Sequence, residues 1–358
     1  LGGNISLLAG GTNTSSRYNH SQIGHGGYGN GTTVTALGDI TVETADGDLA
    51  LLAGQNAFSY AQIGHGGGRA GVASQSDLSG NVMVRAGGDI TATGGSSSYT
   101  SAMIGHGGVM GNANNTWHLG GAIDVEAGGS VTASGGTGTY SAAKIGHGGP
   151  SHSGSTTMPS TIGVSPITVK AITGDILLLS GTASYSGAKI GHGDHYFKLA
   201  DFGTSSIAVE AGRDIRLVSP QFDTYSSISY ASSQIGHGGF SAIVGPMPST
   251  LGYSGDITAS AGGKIDVLAG KNSGSYNWSL IGHNSYYNST GLHTGNITVT
   301  AGTVAGLSEY GVTVRGASGD FMPFAGTNTT SGSYYSFASI GHRGHSNGPT
   351  TYYTGLHG

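Results

Sequence analysis

Eight histidines recur along the chain at a nearly regular interval, and they are the residues best suited to chemistry. Each follows the dipeptide Ile-Gly, and the spacing grows from 40 residues, between His25 and His65, to 59 residues, between His283 and His342. Imidazole binds zinc, copper and nickel and changes its charge near neutral pH. A row of such rings could therefore hold metal ions or pass protons along its length. The full series is His25, His65, His106, His147, His192, His237, His283 and His342.

A structural role for these histidines is the favoured interpretation. A tetrahedral metal site needs three or four converging ligands, whereas a straight ladder places neighbouring rings along one line. We therefore expect rings that stack and hydrogen-bond to the backbone or to the next ring, with no cofactor and no metal. The local pairs His192/His195 and His342/His345, the first of them with Asp194, are weaker candidate metal ligands, because neither pair recurs.

The histidines belong to a longer repeated unit that reads aromatic-x-x-small-x-Ile-Gly-His. The isoleucines are Ile23, Ile63, Ile104, Ile145, Ile190, Ile235, Ile281 and Ile340. The aromatic residue five positions earlier is Tyr18, Phe58, Tyr99, Tyr140, Tyr185, Tyr230, Tyr276 or Tyr335.

Two more strand-like segments precede this motif in each unit. One is Val82-Met83-Val84, and the next begins at Ile90 after the turn signal Ala86-Gly87-Gly88-Asp89. Short β-branched runs cut by Gly and Asp indicate strands separated by turns, and no helical period persists. We predict an all-β, right-handed parallel β-helix of about eight coils, with three short strands and one Ile-Gly-His unit per coil.

The repeat also sets the domain organisation. Length alone would suggest about two domains of roughly 150 residues each, but repeated units pack on their neighbours as a single array. We predict one array over residues 1–358, with a variable loop after each histidine and a loop insertion at about 302–314. The units end near residues 25, 65, 106, 147, 192, 237, 283 and 342.

Stacking of coils predicts ladders of identical residues. Inward positions should repeat every ~4.8 Å, which places isoleucine on isoleucine and aromatic ring on aromatic ring. Two charges at that separation repel by roughly 3.5 kcal/mol at an effective dielectric constant of about 20. Most of the histidines should therefore be neutral in the folded chain, with lowered pKa values.

Aspartates precede several strand isoleucines, at Asp39, Asp89, Asp214 and Asp256. Calcium in the turns is one interpretation, but the Gly-Gly-x-Gly-x-Asp pattern of calcium-binding β-rolls is absent. Side chains that cap turn amides are the favoured interpretation. An enzyme would need carboxylates and a base clustered on one face, whereas these acids are single and regularly spaced, so we expect no enzymatic activity.

Composition excludes several other classes. The chain has 70 glycines in 358 residues, 9% charged residues, a net charge of −5 and no cysteine. It carries no basic patch for nucleic acid and no apolar run long enough for a membrane-spanning helix.

The two ends of the chain suggest a segment of a longer array or, as the second interpretation, head-to-tail association of segments. Residues 2–10 match the second strand segment at residues 262–270, and residues 354–358 echo residues 290–294, which lead into a first strand. We expect a rod that continues head to tail or as part of a longer chain, with lateral bundling as a further option. The alternative is an adhesin that binds glycans, proteins or a cell surface through the loop aromatics Tyr28, Trp117, Tyr196, Phe197, Tyr286, Tyr287, Tyr352 and Tyr353.

The strings Gly-Asp-Ile-Thr-Val at residues 38–42 and Ala-Gly-Gly-Lys-Ile-Asp-Val-Leu-Ala-Gly at residues 261–270 carry a family resemblance. Over its whole length the chain resembles the passenger regions of filamentous-haemagglutinin-like bacterial surface proteins. The resemblance implies a right-handed β-helix that is secreted to the cell surface or extracellular matrix. It also implies a role in adhesion, biofilm matrix or surface fibres.

Overall fold

The protein is seen here as a computed structural model that describes most of the repeat array. The described residues are 2–10, 19–26, 35–67, 75–108, 116–149, 160–194, 199–202, 204–220, 228–239, 253–269, 277–285, 293–302, 311–315 and 337–344. Every regular element in these ranges is a β-strand, and they contain no helix of the length and apolarity needed to cross a membrane.

Three long parallel sheets run along the molecule, and each coil after the first contributes one strand to each sheet, while the first coil contributes one strand to the second sheet and one to the third. The seven-stranded first sheet contains Ile40–Thr44, Val82–Ala86, Ile123–Ala127, Ile167–Ala171, Ile207–Ala211, Ile257–Ala261 and Ile297–Ala301. The eight-stranded second sheet contains Ile5–Leu8, Leu49–Leu52, Ile90–Thr93, Val131–Ser134, Ile176–Leu179, Ile215–Val218, Ile265–Leu268 and Val312–Arg315. The eight-stranded third sheet contains His20–Ile23, Tyr60–Ile63, Ser101–Ile104, Ala142–Ile145, Gly187–Ile190, Ser232–Ile235, Trp278–Ile281 and Phe337–Ile340.

The pairing register places equivalent residues of successive repeats next to each other. In the third sheet Ile104 pairs with Ile63 on one side and with Ile145 on the other. Adjacent strands of a sheet are therefore consecutive units of the sequence, so one Ile-Gly-His unit makes one coil. The predicted fold class, a parallel β-helix, is confirmed.

The core lies between the three sheets. Strands of the first sheet alternate buried and outward residues, as in Val82–Ala86, because successive side chains point to opposite faces. Val84, Ala92 and Ile104 illustrate the inward residues of the three sheets, and all belong to one apolar cluster. Ile63 through Ile281 of the isoleucine ladder are buried, while Ile23 and Ile340 at the two ends are partly buried.

A fourth strand, which the sequence analysis did not predict, follows the loop after the histidine in five coils. These strands form a separate five-stranded sheet, which we call the arm: Thr35–Leu37, Gln75–Ser79, Thr116–Gly120, Ser160–Ile162 and Leu199–Phe202. Short strands directly after three histidines form one further sheet: Gly238–Gly239, Asn284–Ser285 and Arg343–Gly344.

The predicted loop insertion at about 302–314 needs correction. Val312–Arg315 pairs in register with Ile265–Leu268 and is the second-sheet strand of the last coil. The strand has no Gly-Gly turn in front of it, so the sequence pattern did not separate it from the preceding loop. Residues 303–310 lie outside the described residues.

Candidate functional site

The eight histidines form one continuous stack along the corner that ends the third sheet. Neighbouring rings are nearly parallel, and their centroids are 4.6 Å apart for His283 and His342 and 5.2 Å apart for His25 and His65. The other five steps, from His65 to His283, lie between 4.8 and 5.0 Å. The spacing equals that of paired strands, because each ring is fixed to one coil.

In each histidine after the first, Nδ1 accepts a hydrogen bond from the coil that precedes it in the sequence. The backbone N–H of His106 donates to Nδ1 of His147 over 3.0 Å, and the N–H of His147 donates to Nδ1 of His192 over 3.0 Å. The same bond joins all seven steps from His25 to His342. Nδ1 is therefore an acceptor and carries no proton in these seven rings.

The other ring nitrogen closes the coil. Nε2 of His147 lies 2.8 Å from the carbonyl oxygen of Gly121, and Nε2 of His106 lies 2.8 Å from that of Gly80. These carbonyls directly precede first-sheet strands, at the point where the chain returns from the loop and arm. The histidine thus joins the end of the third-sheet strand to the start of the first-sheet strand of the same coil, at the corner where the loop to the next coil begins. The remaining bonds of this kind reach the carbonyls of Gly38, Ser165, Ser205, Gly255 and Gly295.

These two bonds hold the rings in the neutral form that is protonated on Nε2. Burial lowers the pKa of His106 to about 4 and those of His192 and His283 to about 3. Burial, followed by the charges of neighbouring histidines, also holds the pKa values of His147 and His237 well below 6.5. A second proton would have to sit on Nδ1, where it would meet a backbone N–H.

The same geometry weighs against metal binding and proton relay along the described ladder. A ring whose two nitrogens both bind backbone atoms has no lone pair left for a metal ion, and no ring nitrogen bonds to another ring. No group of three or more candidate ligands comes together among the described residues. His195 and His345, the partners of the two local pairs, lie outside the described residues.

The aromatic ladder is also a stack, but it lies at a surface turn and not in the core. Phe58, Tyr99, Tyr140, Tyr185 and Tyr230 are half-buried, and their ring centroids are 4.4–5.1 Å apart. All five have a left-handed backbone, with φ between 59° and 64°. The expected inward orientation is therefore wrong for these five residues, because the turn rotates the ring outward. Tyr18, Tyr276 and Tyr335 lie outside the described residues.

Of the loop aromatics predicted to be surface contacts, only Trp117 lies within the described residues, and it is buried. Trp117 is 3% exposed and belongs to the arm strand Thr116–Gly120, which buries its side chain. It is therefore not a surface contact. Tyr28, Tyr196, Phe197, Tyr286, Tyr287, Tyr352 and Tyr353 lie outside the described residues.

The turn aspartates cap amides, but those of the next coil. Oδ1 of Asp89 accepts from the N–H of Ser130 over 2.7 Å, and Oδ1 of Asp214 accepts from the N–H of Lys264 over 2.8 Å. Asp39 and Asp256 do the same before first-sheet strands. Like the histidines, these side chains join coil to coil.

A buried column on the outer face of the third sheet was missed by the sequence analysis. The residue before each ladder isoleucine forms it, and its buried members are Gln62, Met103, Lys144, Lys189, Gln234 and Leu280. Each of these third-sheet strands is buried on both faces, so other parts of the coil also cover its outer side. The signal in the sequence is the run of long side chains without a branch at Cβ at this position.

Polar members of this column bind the carbonyls of the glycine-rich corner. Nζ of Lys144 donates to the carbonyls of His147 and Gly193 over 2.8 and 2.7 Å. Nε2 of Gln62 donates to the carbonyls of Gly105 and Gly107 in the next coil. Burial lowers the pKa of Lys189 to about 8, and the charge of Asp194 opposes that shift.

No family model, no curated protein and no solved structure matches the sequence or the fold.

Proposed function

We propose that this chain is a structural segment of a long rod or fibre, secreted to the surface or extracellular matrix of a bacterium. One observation supports this most directly: the histidine ladder joins coil to coil without interruption from His25 to His342. Both ring nitrogens of seven histidines bind backbone atoms, so the side chains best suited to chemistry serve as joints. Histidines that link successive coils are what we expect in a rod whose function depends on its length and stiffness.

The ladder has a direction that supports continuation of the coils. Each backbone N–H donates to the ring of the following coil. Along that direction the described stack begins with the ring of His25 and ends with the backbone N–H of His342. A further coil, from the same chain or from another copy, would extend the ladder at either side by the same bonds. We therefore propose end-to-end continuation of coils.

The extracellular setting rests on two sequence features. The chain contains no cysteine, which suits passage across a membrane in an unfolded state. Its Gly-Asp-Ile-Thr-Val and Ala-Gly-Gly strings resemble those of filamentous-haemagglutinin-like surface proteins, many of which serve as surface fibres or biofilm matrix.

Electron cryomicroscopy of the native material near neutral pH tests this function. A continuous solenoid should show an axial repeat of ~4.8 Å, and eight coils should advance by roughly 38 Å per chain. Long unbranched fibres with unbroken density across the junction between chains would support the proposal. Short separate rods with frayed ends would contradict end-to-end continuation.

A further inference from the structure

The outward face of the second sheet carries no charged residue in its first five coils. In the first five coils its outward residues are Ser6, Leu8, Ala50, Leu52, Thr91, Thr93, Thr132, Ser134, Leu177 and Leu179, none of them charged. Leu8 is 58% exposed and Leu52 is 45% exposed, and the two are paired in adjacent strands. Leu8 and Leu52 are thus the start of an apolar patch at one end of this face, and contiguous apolar patches mark contact surfaces.

The other faces of the coil stack differ from this one. The outward side of the first sheet carries charges in five successive coils: Glu43, Arg85, Asp124, Glu126, Lys170 and Glu210. Two ion pairs lie on it, Arg85 with Asp124 at 3.3 Å and Lys170 with Glu210 at 3.2 Å. The outer face of the third sheet is buried within the coil. In these five coils the charges thus lie on the first sheet and not on the second, whose first charged pair, Arg216 with Asp266, lies further along the rod.

We infer that this face binds a second copy of the chain side by side, with the two rods running in opposite directions. A partner that contacts several coils at once must match the ~4.8 Å spacing of the strands, and another copy matches it by construction. The inference rests on the rod function proposed above and adds to it the partner that lies beside the rod. The side-by-side contact becomes strong only if the rods are long.

The antiparallel arrangement follows from the order of residues along the face. Place a two-fold axis between the strands Ile90–Thr93 and Val131–Ser134, parallel to the strands. Leu52 then faces Leu179 of the other copy, and Leu8 faces Val218. Thr93 and Ser134 meet at the centre, where their hydroxyls can pair. A two-fold interface of this kind is self-complementary, as homodimer contacts usually are.

A parallel arrangement fits less well. In a parallel arrangement the two-fold axis runs along the rod, so each coil faces the same coil of the other copy. Arg216 would then face Val218, and Asp266 would face Leu268. That would bury charged groups against apolar side chains, which is costly. Between two single chains in the antiparallel arrangement Arg216 faces Ser6, and Asp266, 3.4 Å from Arg216 within its own chain, lies outside the six overlapping coils. In continuous rods Asp266 would face the uncharged Thr313 of an adjoining chain.

The contact is small for one chain and grows with the rod. Six coils of ~4.8 Å and strands of four residues give roughly 380 Å² per partner, or about 750 Å² in total. Stable pairs of proteins bury about 1,200 Å² or more, so single chains should pair only weakly. Rods built from several chains repeat the contact and gain avidity, so bundles should form where rods are long.

Cross-linking tests the geometry, because the chain has no cysteine of its own. The full-length variants L52C and L179C are mixed under fibre-forming conditions and treated with a short bismaleimide. We expect the mixed product at least about tenfold above the product of either variant alone, since Leu52 and its own copy would lie three coils, or ~14 Å, apart. T168C on the first sheet, mixed with L52C, is the matched control and should give only background. A dominant L52C self-product, or no mixed product, would overturn the inference.

A charge variant separates this inference from the rod function. L52D should give long single rods in place of bundles, with an unchanged melting temperature, whereas A208D on the first sheet should leave the bundles intact. Bundles that persist in L52D would overturn the lateral contact. Loss of the rods themselves in every variant, including the unmodified chain, would instead count against end-to-end continuation.

Discussion

His147 illustrates how a titratable side chain becomes a fixed part of a backbone network. Its Nδ1 accepts from the N–H of His106 over 3.0 Å, and its Nε2 lies 2.8 Å from the carbonyl of Gly121. The ring also stacks between those of His106 and His192. One residue therefore links two coils and closes its own.

Replacing His147 with phenylalanine separates these bonds from the stacking. The H147F ring can still stack, but the His106 N–H and the Gly121 carbonyl lose their partners. Each of the two unsatisfied buried groups costs about 1–3 kcal/mol, so we expect a loss of about 2–6 kcal/mol, measured as a lower denaturant midpoint. H25F, in the exposed first coil, is the control and should cost much less. Equal, small losses in both variants would contradict the joint role.

Acid should weaken the rod through the same histidines. Their pKa values fall from 6.5 to about 4 for His106 and about 3 for His192. The unfolded chain then binds more protons than the folded one between those values, so stability is complete above pH 6.5 and is lost as pH falls toward 4 and 3. Each such histidine contributes a slope of about 1.36 kcal/mol per pH unit in this window.

Thermal melts at pH 7.5, 6.5, 5.5 and 4.5 measure this loss, and we expect the midpoint to fall only below pH 6.5. Ring nitrogen chemical shifts at pH 5.5 are the control, since they should still report neutral rings protonated on Nε2. A midpoint that does not change between pH 7.5 and 4.5 would contradict the account.

At the scale of the element, the glycine before each histidine lets successive corners lie close together. Gly105 has φ of 141°, and a Cβ on it would clash with the carbonyl oxygen of Gly146 in the next coil. Gly341 has nearly the same φ, 142°, but no described atom lies within 4 Å of where its Cβ would be. Substitutions at Gly105 and Gly341 can therefore separate the cost of backbone strain from the cost of a clash between neighbouring coils.

We expect G105A to destabilise the isolated chain more than G341A. Both variants carry strain of about 1–3 kcal/mol from the positive φ. G105A should lose about 1–3 kcal/mol more, because the overpacked corner pushes two coils apart. Chemical denaturation measures the difference. If both variants lose the same stability, the close approach of the corners is not what requires glycine.

The sequence predicted the elements that repeat and missed those that do not. The Ile-Gly-His strands share one pattern in eight units, so their stacking could be read from spacing alone. The arm strands Gln75–Ser79, Thr116–Gly120 and Ser160–Ile162 share no such pattern, and they pair because the coils on either side hold them in register. Burial of Lys144 depends on the covered outer face of the third sheet, which alternation along one strand cannot reveal.

At the scale of the whole molecule, the array should be least stable at its ends. A central strand such as Ser101–Ile104 pairs on both sides, whereas His20–Ile23 pairs on one side only among the described strands. Each coil in a linear array is stabilised by its neighbours, so opening should begin at the ends and spread inward.

Hydrogen exchange on isolated chains and on fibres tests this together with end-to-end continuation. In isolated chains we expect the amides of Ser101–Ile104 to exchange at least about tenfold more slowly than those of His20–Ile23, a difference of about 1.4 kcal/mol. In fibres the end coils gain the neighbour they lack, so the gradient should vanish. A gradient that persists in fibres would mean that coils do not continue from chain to chain. Uniform exchange in isolated chains would mean that the array opens as a single unit, so that its stability is not a sum of contacts between neighbouring coils.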